Sequence, residues 1–337
     1  MKKRTLCVIF GGKSSEYFVS LRSAFGVLSH LDEEKYDIVR VGITRGGAWY
    51  LFDGDNGEIL ADTWHKGAVI PVTLDVSSGQ LLVLDKQIYA IDVDVFFPVM
   101  HGEYVEDGRL QGLFDICGIK YVGSGAFASH ICMDKALTKD VAKRCGIRVS
   151  KGAIWEEGMS LEGLGFAYPV FVKPCMGGSS VGVCRVKNEG ELHSAIERAR
   201  LVCPRVLIEE EILGREVEVG VLEAGGKLTV SPVGMIRHGG EFYGYEEKYN
   251  SLDNEYIIPA PISEKTTKYI QECAKKLFLR LGCHSLSRFD FFVLGNGDVV
   301  FNEVNTMPGF TEVSMYPMLF RAAGMEYERL LDCLLQP

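Results

Sequence analysis

No stretch of the 337-residue chain approaches the roughly 18 consecutive apolar residues that a membrane-spanning helix needs. No block of lysine and arginine marks a surface for nucleic acid, and the formal net charge is −9. Such a chain gains nothing from counterion release, so DNA or RNA is not expected as a ligand. The apolar residues Leu6 to Phe10 that follow the basic start are too few for a secretory signal and read as a first strand. Ten cysteines are scattered without a CxxC pair. Thiols such as Cys7, Cys117 and Cys184 in apolar settings suit core packing in a reducing compartment rather than disulfides or zinc. Repeats, low-complexity tracts and linker-like segments are missing as well. What is present is 47% hydrophobic and 24% charged residues, enough for about two domains with buried cores. A soluble, cytoplasmic protein is expected, one that binds neither nucleic acid nor membrane.

The pattern along the chain predicts α/β architecture, built as α+β lobes. A strand over 5–10, a tight loop over 11–15 and a helix over 19–31 open it, with further strands at 37–43 and 93–100. Residues 45–90 carry no clear periodicity. Helices are expected over 108–117 and 135–145, the latter closed by Gly146. Strands at 168–173 and 181–186 flank a glycine-rich stretch, followed by a helix over 189–200 and a strand over 206–210. From 216 to 304 the pattern is mainly strands with one helix over 264–281, and a last helix lies near 325–335. Two or three closely packed lobes follow from that alternation.

Three glycine motifs invite readings that their context weakens. Gly12-Lys13-Ser14 resembles the end of a P-loop, but Cys7 stands where its first glycine belongs. Glycines between a strand and a helix would still offer N–H groups to an anion. Gly123-Ser124-Gly125-Ala126-Phe127-Ala128 fits GxGxxA outside any first βαβ unit and reads as a strand-to-helix turn. Gly178-Ser179-Ser180-Val181-Gly182 fits GxSxG, the basis of a distant serine-hydrolase alternative through Ser180, but alternating residues follow it where a nucleophile elbow needs a helix. A hairpin flap whose N–H groups close over phosphates fits better.

The most informative segment runs from Arg288 to Asn305. Asn296-Gly297 between apolar runs predicts a two-residue type I′ turn. That register sets Asp290 opposite Glu303 and Arg288 opposite Asn305, all four on one face, with Phe289, Phe291, Asn302 and Val304 on the other. Opposed carboxylates repel. Either Arg288 neutralises a structural pair, or the two acids and the Asn305 oxygen hold a hard divalent cation with room left for water and phosphate. Lys135, Lys173 and Lys248 add to the second option, that of nucleoside triphosphate chemistry without a P-loop. A protein that binds nucleotide without catalysis is a further alternative.

Taken together, Lys173-Pro174, the 178–182 flap, Ile208-Glu209-Glu210, Glu247-Lys248-Tyr249, Arg288-Phe289-Asp290 and 302–309 resemble the D-alanine–D-alanine ligases of the ATP-grasp superfamily. The N-terminal 11–16 and 19–21, His101-Gly102, 106–108 and 110–112 match in the same order. The resemblance implies an ATP-grasp fold behind an N-terminal open α/β (pre-ATP-grasp) domain, with units at 1–125, 126–210 and 211–337. It implies an ATP-dependent enzyme that phosphorylates D-alanine and joins it to a second D-alanine for peptidoglycan precursors. Glu16 would hold the first ammonium, in a hydrogen-bonded set with Ser179 and Tyr249, and His101 would lie close by. Lys135, Lys173, Lys248 and Ser180 would serve the phosphates, and Glu209, Glu210, Ile212 and Glu216 would surround adenine and ribose. Asp290, Glu303 and Asn305 would hold two magnesium ions, or manganese. Arg288 and the Gly309 N–H would form the oxyanion site, and Ser314 would receive the second carboxylate. A closing loop is expected at 242–249, and a homodimer as the assembly. Tyr104-Val105 replaces a stretch that usually bears glycine, and Glu312 brings a charge next to Ser314. Ligases using D-serine or D-lactate as second substrate are the close rivals; Lys248-Tyr249 and Met315 favour D-alanine.

Overall fold

Leu6 to Phe10 are all fully buried, as a strand covered on both faces requires. In the computed structural model, which describes residues 3–159, 161, 166–237 and 255–335, they belong to β1 (Arg4–Gly11). Helix α1 (Tyr17–His30) and β2 (Tyr36–Ile43) follow, and β2 lies parallel to β1. Gly11 and Gly12 make the turn into α1 with φ of +86° and +107°; at Gly11 a Cβ would lie 2.2 Å from the Ile43 carbonyl oxygen. Their amides donate to Ser20 Oγ and to the Ile43 carbonyl. The anion cradle anticipated here is therefore closed by the fold's own acceptors.

The unassigned residues 45–90 form β3 (Trp49–Leu51), α2 (Asn56–Leu60), β4 (Ile70–Leu74), β5 (Leu81–Leu84) and β6 (Ile88–Ile91). With β7 (Val95–Pro98) they complete a seven-stranded sheet in the order β6-β5-β4-β3-β2-β1-β7. Its β2-β1-β7 portion is parallel and the rest is an antiparallel extension.

Helices α3 (Arg109–Ile116), α4 (Ala126–Met133) and α5 (Lys135–Arg144) come next. Asp134 starts α5 by accepting from the amides of Ala136 and Leu137, an N-cap, and Gly146 follows its end with φ +74°. The second sheet has the order β10-β9-β11-β8, formed by β8 (Gly152–Ile154), β9 (Val170–Pro174), β10 (Cys184–Val186) and β11 (Val206–Glu210). Helix α6 (Glu189–Arg200) covers it with Leu192, Ala195, Ile196 and Ala199.

The third sheet, β14-β13-β12-β15-β16, comprises β12 (Gly214–Ala224), β13 (Lys227–Arg237), β14 (Glu255–Ile257), β15 (Leu286–Leu294) and β16 (Val299–Asn305). Helix α7 (Glu264–Leu281) is capped by Ser263 and ended by left-handed Gly282. It buries Ile270, Cys273, Ala274, Leu277, Phe278 and Leu281 on one stripe. Its core cluster also takes in Cys132, Ala142 and Ile147, so α4 and α5 pack on this sheet. Helices α8 (Met315–Ala322) and α9 (Tyr327–Leu335) close the chain. The α9 residues Leu330, Leu331 and Leu334 join the core of the first sheet.

The β15–β16 hairpin pairs Asp290 with Glu303 and Arg288 with Asn305. The turn differs from expectation. Leu294 N–H donates to the Asp298 carbonyl, enclosing three loop residues, and of the Asn-Gly pair only Gly297 is left-handed, φ +88°. This is a three-residue connection with a glycine bulge. Phe291 then faces Phe301 while Asp290 faces Glu303, so Asn302 is an extra residue on β16. The two one-residue departures cancel at the functional pairs. Asn302, expected on the opposite face, lines the larger cavity described below.

Candidate active site

Two cavities lie side by side, the larger between the second and third sheets and the smaller where the third sheet and the 177–179 flap meet Glu16, His101 and Glu106 of the first unit. The larger, about 670 Å³, falls in the range of sites for small ligands and cofactors. Lys173, Ser180, Glu209, Glu210 and Ile212 line it. The smaller, about 190 Å³, is bordered by Glu16, His101, Arg288, Asp290, Asn305, Gly309 and Ser314. Lys135, Ser179, Glu216 and Glu303 border both. Every site residue expected from the sequence lines one cavity or the other, except Lys248, Tyr249 and their 242–249 loop, which lie outside the described residues.

The flap from Pro174 to Cys184 links β9 to β10 as an antiparallel hairpin. It does not lead into a helix, so the GxSxG match has no nucleophile-elbow geometry. Ser179 and Ser180 both take left-handed φ, +51° and +58°, a strained conformation for side-chain-bearing residues that clusters at functional sites. Ser179 Oγ donates to Glu16 Oε1, and a Cβ on Gly178 would come within 2.9 Å of Glu16 Oε2. Lys135 Nζ donates to the Gly177 carbonyl at 2.7 Å and lies 3.8 Å from Glu303.

Glu209 was expected beside adenine and ribose. In the structure its carboxylate is 2% exposed and binds inward, accepting from Ser150 Oγ at 2.6 Å and from Lys139, with Oε2 in an ion pair 2.9 Å from the Lys173 ammonium. Burial alone would raise its pKa, but Lys139 and Lys173 overcome that and hold it well below the usual carboxylate range. Lys173 is correspondingly raised against its own burial by Glu209. Glu209 thus fixes Lys173 as a charged head at the cavity wall.

His101 is buried and fully engaged, Nδ1 against the Met307 carbonyl at 2.9 Å and Nε2 against Ser23 Oγ at 3.0 Å. A carbonyl can only accept, so the proton sits on Nδ1 and the Ser23 hydroxyl donates to Nε2. Burial lowers the pKa of His101, against the pull of Glu16. The ring is a neutral wall. Glu106, not singled out from the sequence, accepts from the Gly102 amide at 3.0 Å; burial and Glu16 push it up to about 8.

Sequence reasoning also missed Glu218. It pairs with Asp290 across β12 and β15, so Glu218, Asp290 and Glu303 form a row across three strands. Arg288 neutralises part of it: Nε and Nη2 each lie 2.8 Å from an Asp290 oxygen, and Nε lies 2.9 Å from Glu218 Oε2. Asp290 and Glu218 keep the guanidinium charged despite its burial. Finding Glu218 required the β12–β15 pairing, which no local pattern in the sequence displays.

Among the described residues no three Asp, Glu, His or Cys side chains gather as a metal cluster. The expected set is sparser, namely two carboxylates and one amide oxygen. Asp290 accepts from Arg288 and from Asn305 Nδ2 at 3.2 Å, which leaves carboxylate lone pairs unused. Hard oxygen donors that few in number, beside a nucleotide-sized cavity, fit magnesium.

Ser314 stands at the N-terminus of α8 without capping it; its Oγ contacts Thr311 Oγ1 at 2.7 Å. Glu312 points elsewhere, reaching His30 Nε2 at 3.3 Å on α1, so the expected disturbance of the Ser314 pocket does not arise. Tyr104 adopts the left-handed φ of +71° that a glycine would favour. Its ring lies beneath Lys13 and Arg109, and its amide donates to Asp107.

Two antiparallel sheets gripping a cavity, with lysines on one wall and paired carboxylates on the other, define an enzyme of the ATP-grasp class. Residues 5–124 match the D-ala D-ala ligase N-terminus family and residues 154–336 the D-ala D-ala ligase C-terminus family. The chain belongs to the D-alanine–D-alanine ligase family. Over 350 residues it is 42% identical to a D-alanine–D-alanine ligase of Corynebacterium glutamicum, spanning 99% of this chain and 96% of that one. Its identity to the Rhodococcus erythropolis enzyme of the same name is 41%, over 98% and 95%. Among solved structures, the VanG D-Ala:D-Ser ligase from Enterococcus faecalis superposes with a TM-score of 0.90 at 38% identity, covering 99% of both chains. The D-alanine–D-alanine ligase from Coxiella burnetii gives 0.85 at 33%, covering 99% of this chain and 93% of that one.

Proposed function

We propose that this chain joins two D-alanine molecules through a D-alanyl phosphate, using ATP, for peptidoglycan precursors. One observation carries the reading: Lys135, Ser179, Glu216 and Glu303 belong to both cavities. Phosphates entering from the larger cavity would therefore end where the smaller begins. Lys173, fixed by Glu209, and Lys135 meet phosphate charge from the flap side. Asp290, Glu303 and Asn305 would hold magnesium or manganese, which supplies the charge neutralisation that phosphoryl transfer requires. Glu16, held by Ser179, receives the first ammonium. Arg288, gripped by Glu218 and Asp290, faces the negative charge that develops when the second amine attacks. The α8 N-terminus with Ser314 and the Gly309 backbone suit the second carboxylate. Lys248 would add a phosphate contact and Tyr249 a hydrogen bond to the Glu16 set.

The three sheets support units at 1–125, 126–210 and 211–337, although α4 and α5 pack on the third sheet. The homodimer rests on the family resemblance, and the cytoplasmic location on the scattered thiols together with that resemblance. No helix among the described residues is long and apolar enough to cross a membrane.

The likeness to a D-Ala:D-Ser ligase favours a second reading in which D-serine replaces the second D-alanine. Met315 on the wall of the smaller cavity supports D-alanine instead. Mass analysis of products from ATP with equal D-alanine, D-serine and D-lactate decides. D-alanyl-D-alanine as the main product supports the proposal; a predominant D-alanyl-D-serine product replaces it with the second reading.

A further inference from the structure

Behind the smaller cavity two thiols meet that the ligase chemistry does not use. Cys132 lies on α4 and Cys283 directly after the left-handed cap of α7. Their sulfurs are 3.7 Å apart, and both residues are nearly inaccessible from the outer surface, at 4% and 3% exposure. Cys132 nevertheless lines the substrate cavity beside Met133 and Met307. The contact between the two sulfurs favours the thiolate of Cys283 and, with burial, disfavours that of Cys132. Its amide is fixed on the Phe278 carbonyl at 3.0 Å.

We propose that Cys132 and Cys283 form a redox-active dithiol that a hydroperoxide entering the substrate cavity converts to a disulfide. From the form in which Cys283 is the thiolate, Cys132 Sγ attacks the peroxide as its proton passes to Cys283 Sγ. An S–O bond forms, the O–O bond breaks, and the leaving oxygen departs as water (or as an alcohol from an alkyl peroxide) by taking up the proton that Cys283 had released to solvent. Cys283 Sγ then attacks that sulfur, an S–S bond forms, and the sulfenic oxygen leaves as water with the second proton. Two electrons pass from the thiols to one peroxide, which is fully reduced.

Closing the sulfurs from 3.7 Å to the roughly 2.05 Å of a disulfide draws the end of α4 toward α7. Lys135 begins the next helix, three residues after Cys132, and its ammonium holds the flap through the Gly177 carbonyl. Oxidation therefore displaces a cation bordering both cavities. The dithiol chemistry is independent of the ligase reading; the consequence for D-alanine use rests on it.

The test treats the whole protein with hydrogen peroxide, blocks the remaining thiols and maps peptides by mass spectrometry. The expected result is a 132–283 cross-linked peptide, with free thiols falling from ten to eight. D-alanine-dependent phosphate release should fall roughly 10- to 100-fold and return with dithiothreitol. In Cys283→Ala the cross-link disappears, Cys132 advances to the sulfinic acid, and dithiothreitol no longer restores activity. The peptide map needs no substrate, so it stands even if untreated protein makes no dipeptide. Oxidation confined to the more exposed Cys145 and Cys184, with no 132–283 peptide, overturns the proposal. A cross-link that leaves phosphate release unchanged overturns its coupling to the site.

Discussion

Replacing Glu209 by glutamine removes the carboxylate that pairs directly with two buried ammonium groups. Glu209 is 2% exposed and binds Lys139, Lys173 and Ser150. Glutamine keeps the shape but leaves Lys139 and Lys173 facing a neutral amide that directs N–H groups at one of them. Breaking a buried ion pair from one side costs about 3–5 kcal/mol. For domains of 150–250 residues that corresponds to a fall in Tm on the order of 10 °C. The pH dependence has a defined sign. Because the carboxylate's pKa is depressed in the folded state, its contribution is fully present above its usual 4.5 and fades as pH falls through the folded value. Lys139, lowered by burial to about 8 against the pull of Glu209, falls further in the variant, which therefore loses stability as pH drops from 8 toward that lower value. Thermal unfolding of wild type and variant at pH 7, 6, 5 and 4 should show a gap at pH 5 at least as large as at pH 7, narrowing only below 4.5. At pH 7 the variant should also show a raised KM for ATP, since Lys173 loses its anchor. A Tm within a degree of wild type, or a gap that already narrows between pH 7 and pH 5, refutes the reasoning.

Glu303→Gln should weaken manganese binding and nearly abolish turnover with little change in Tm, because the side chain is partly open to the cavities; a normal manganese titration contradicts the metal assignment. Gly102→Ala places a Cβ 2.4 Å from Ser14 Oγ and 2.6 Å from Glu16 Oε2 at φ +74°. About 1–2 kcal/mol of strain should accompany a raised KM for D-alanine with the KM for ATP unchanged, measured by phosphate release. Glu218→Gln loosens Arg288 and should lower kcat while leaving the KM for ATP in place; an unchanged kcat would show that Asp290 alone orients the guanidinium.

Long periodic elements were legible from residue order alone. The helices at 189–200 and 264–281 appear with the bounds expected, since their apolar stripes and ends are local. Residues 45–90 were not, because their strands are three to five residues long and β6 is mostly exposed, which leaves too little alternation to read. Helix α8 was missed as well; Pro317 in its first turn looks like a breaker but is tolerated there. At the hairpin, repulsion between Asp290 and Glu303 was readable although the turn type was not. Glu218 and the inward-facing Glu209 needed tertiary pairing, because which strand lies beside β15, and which lysines lie beneath β11, is set by distant parts of the chain.

The central claim is that the γ-phosphate of ATP meets the carboxylate of D-alanine at the wall shared by the two cavities. Turnover of D-alanine labelled with oxygen-18 in its carboxylate, followed by mass analysis of the released phosphate, tests it directly. The account predicts one labelled oxygen in each phosphate formed. Phosphate whose new oxygen comes from unlabelled water would contradict it.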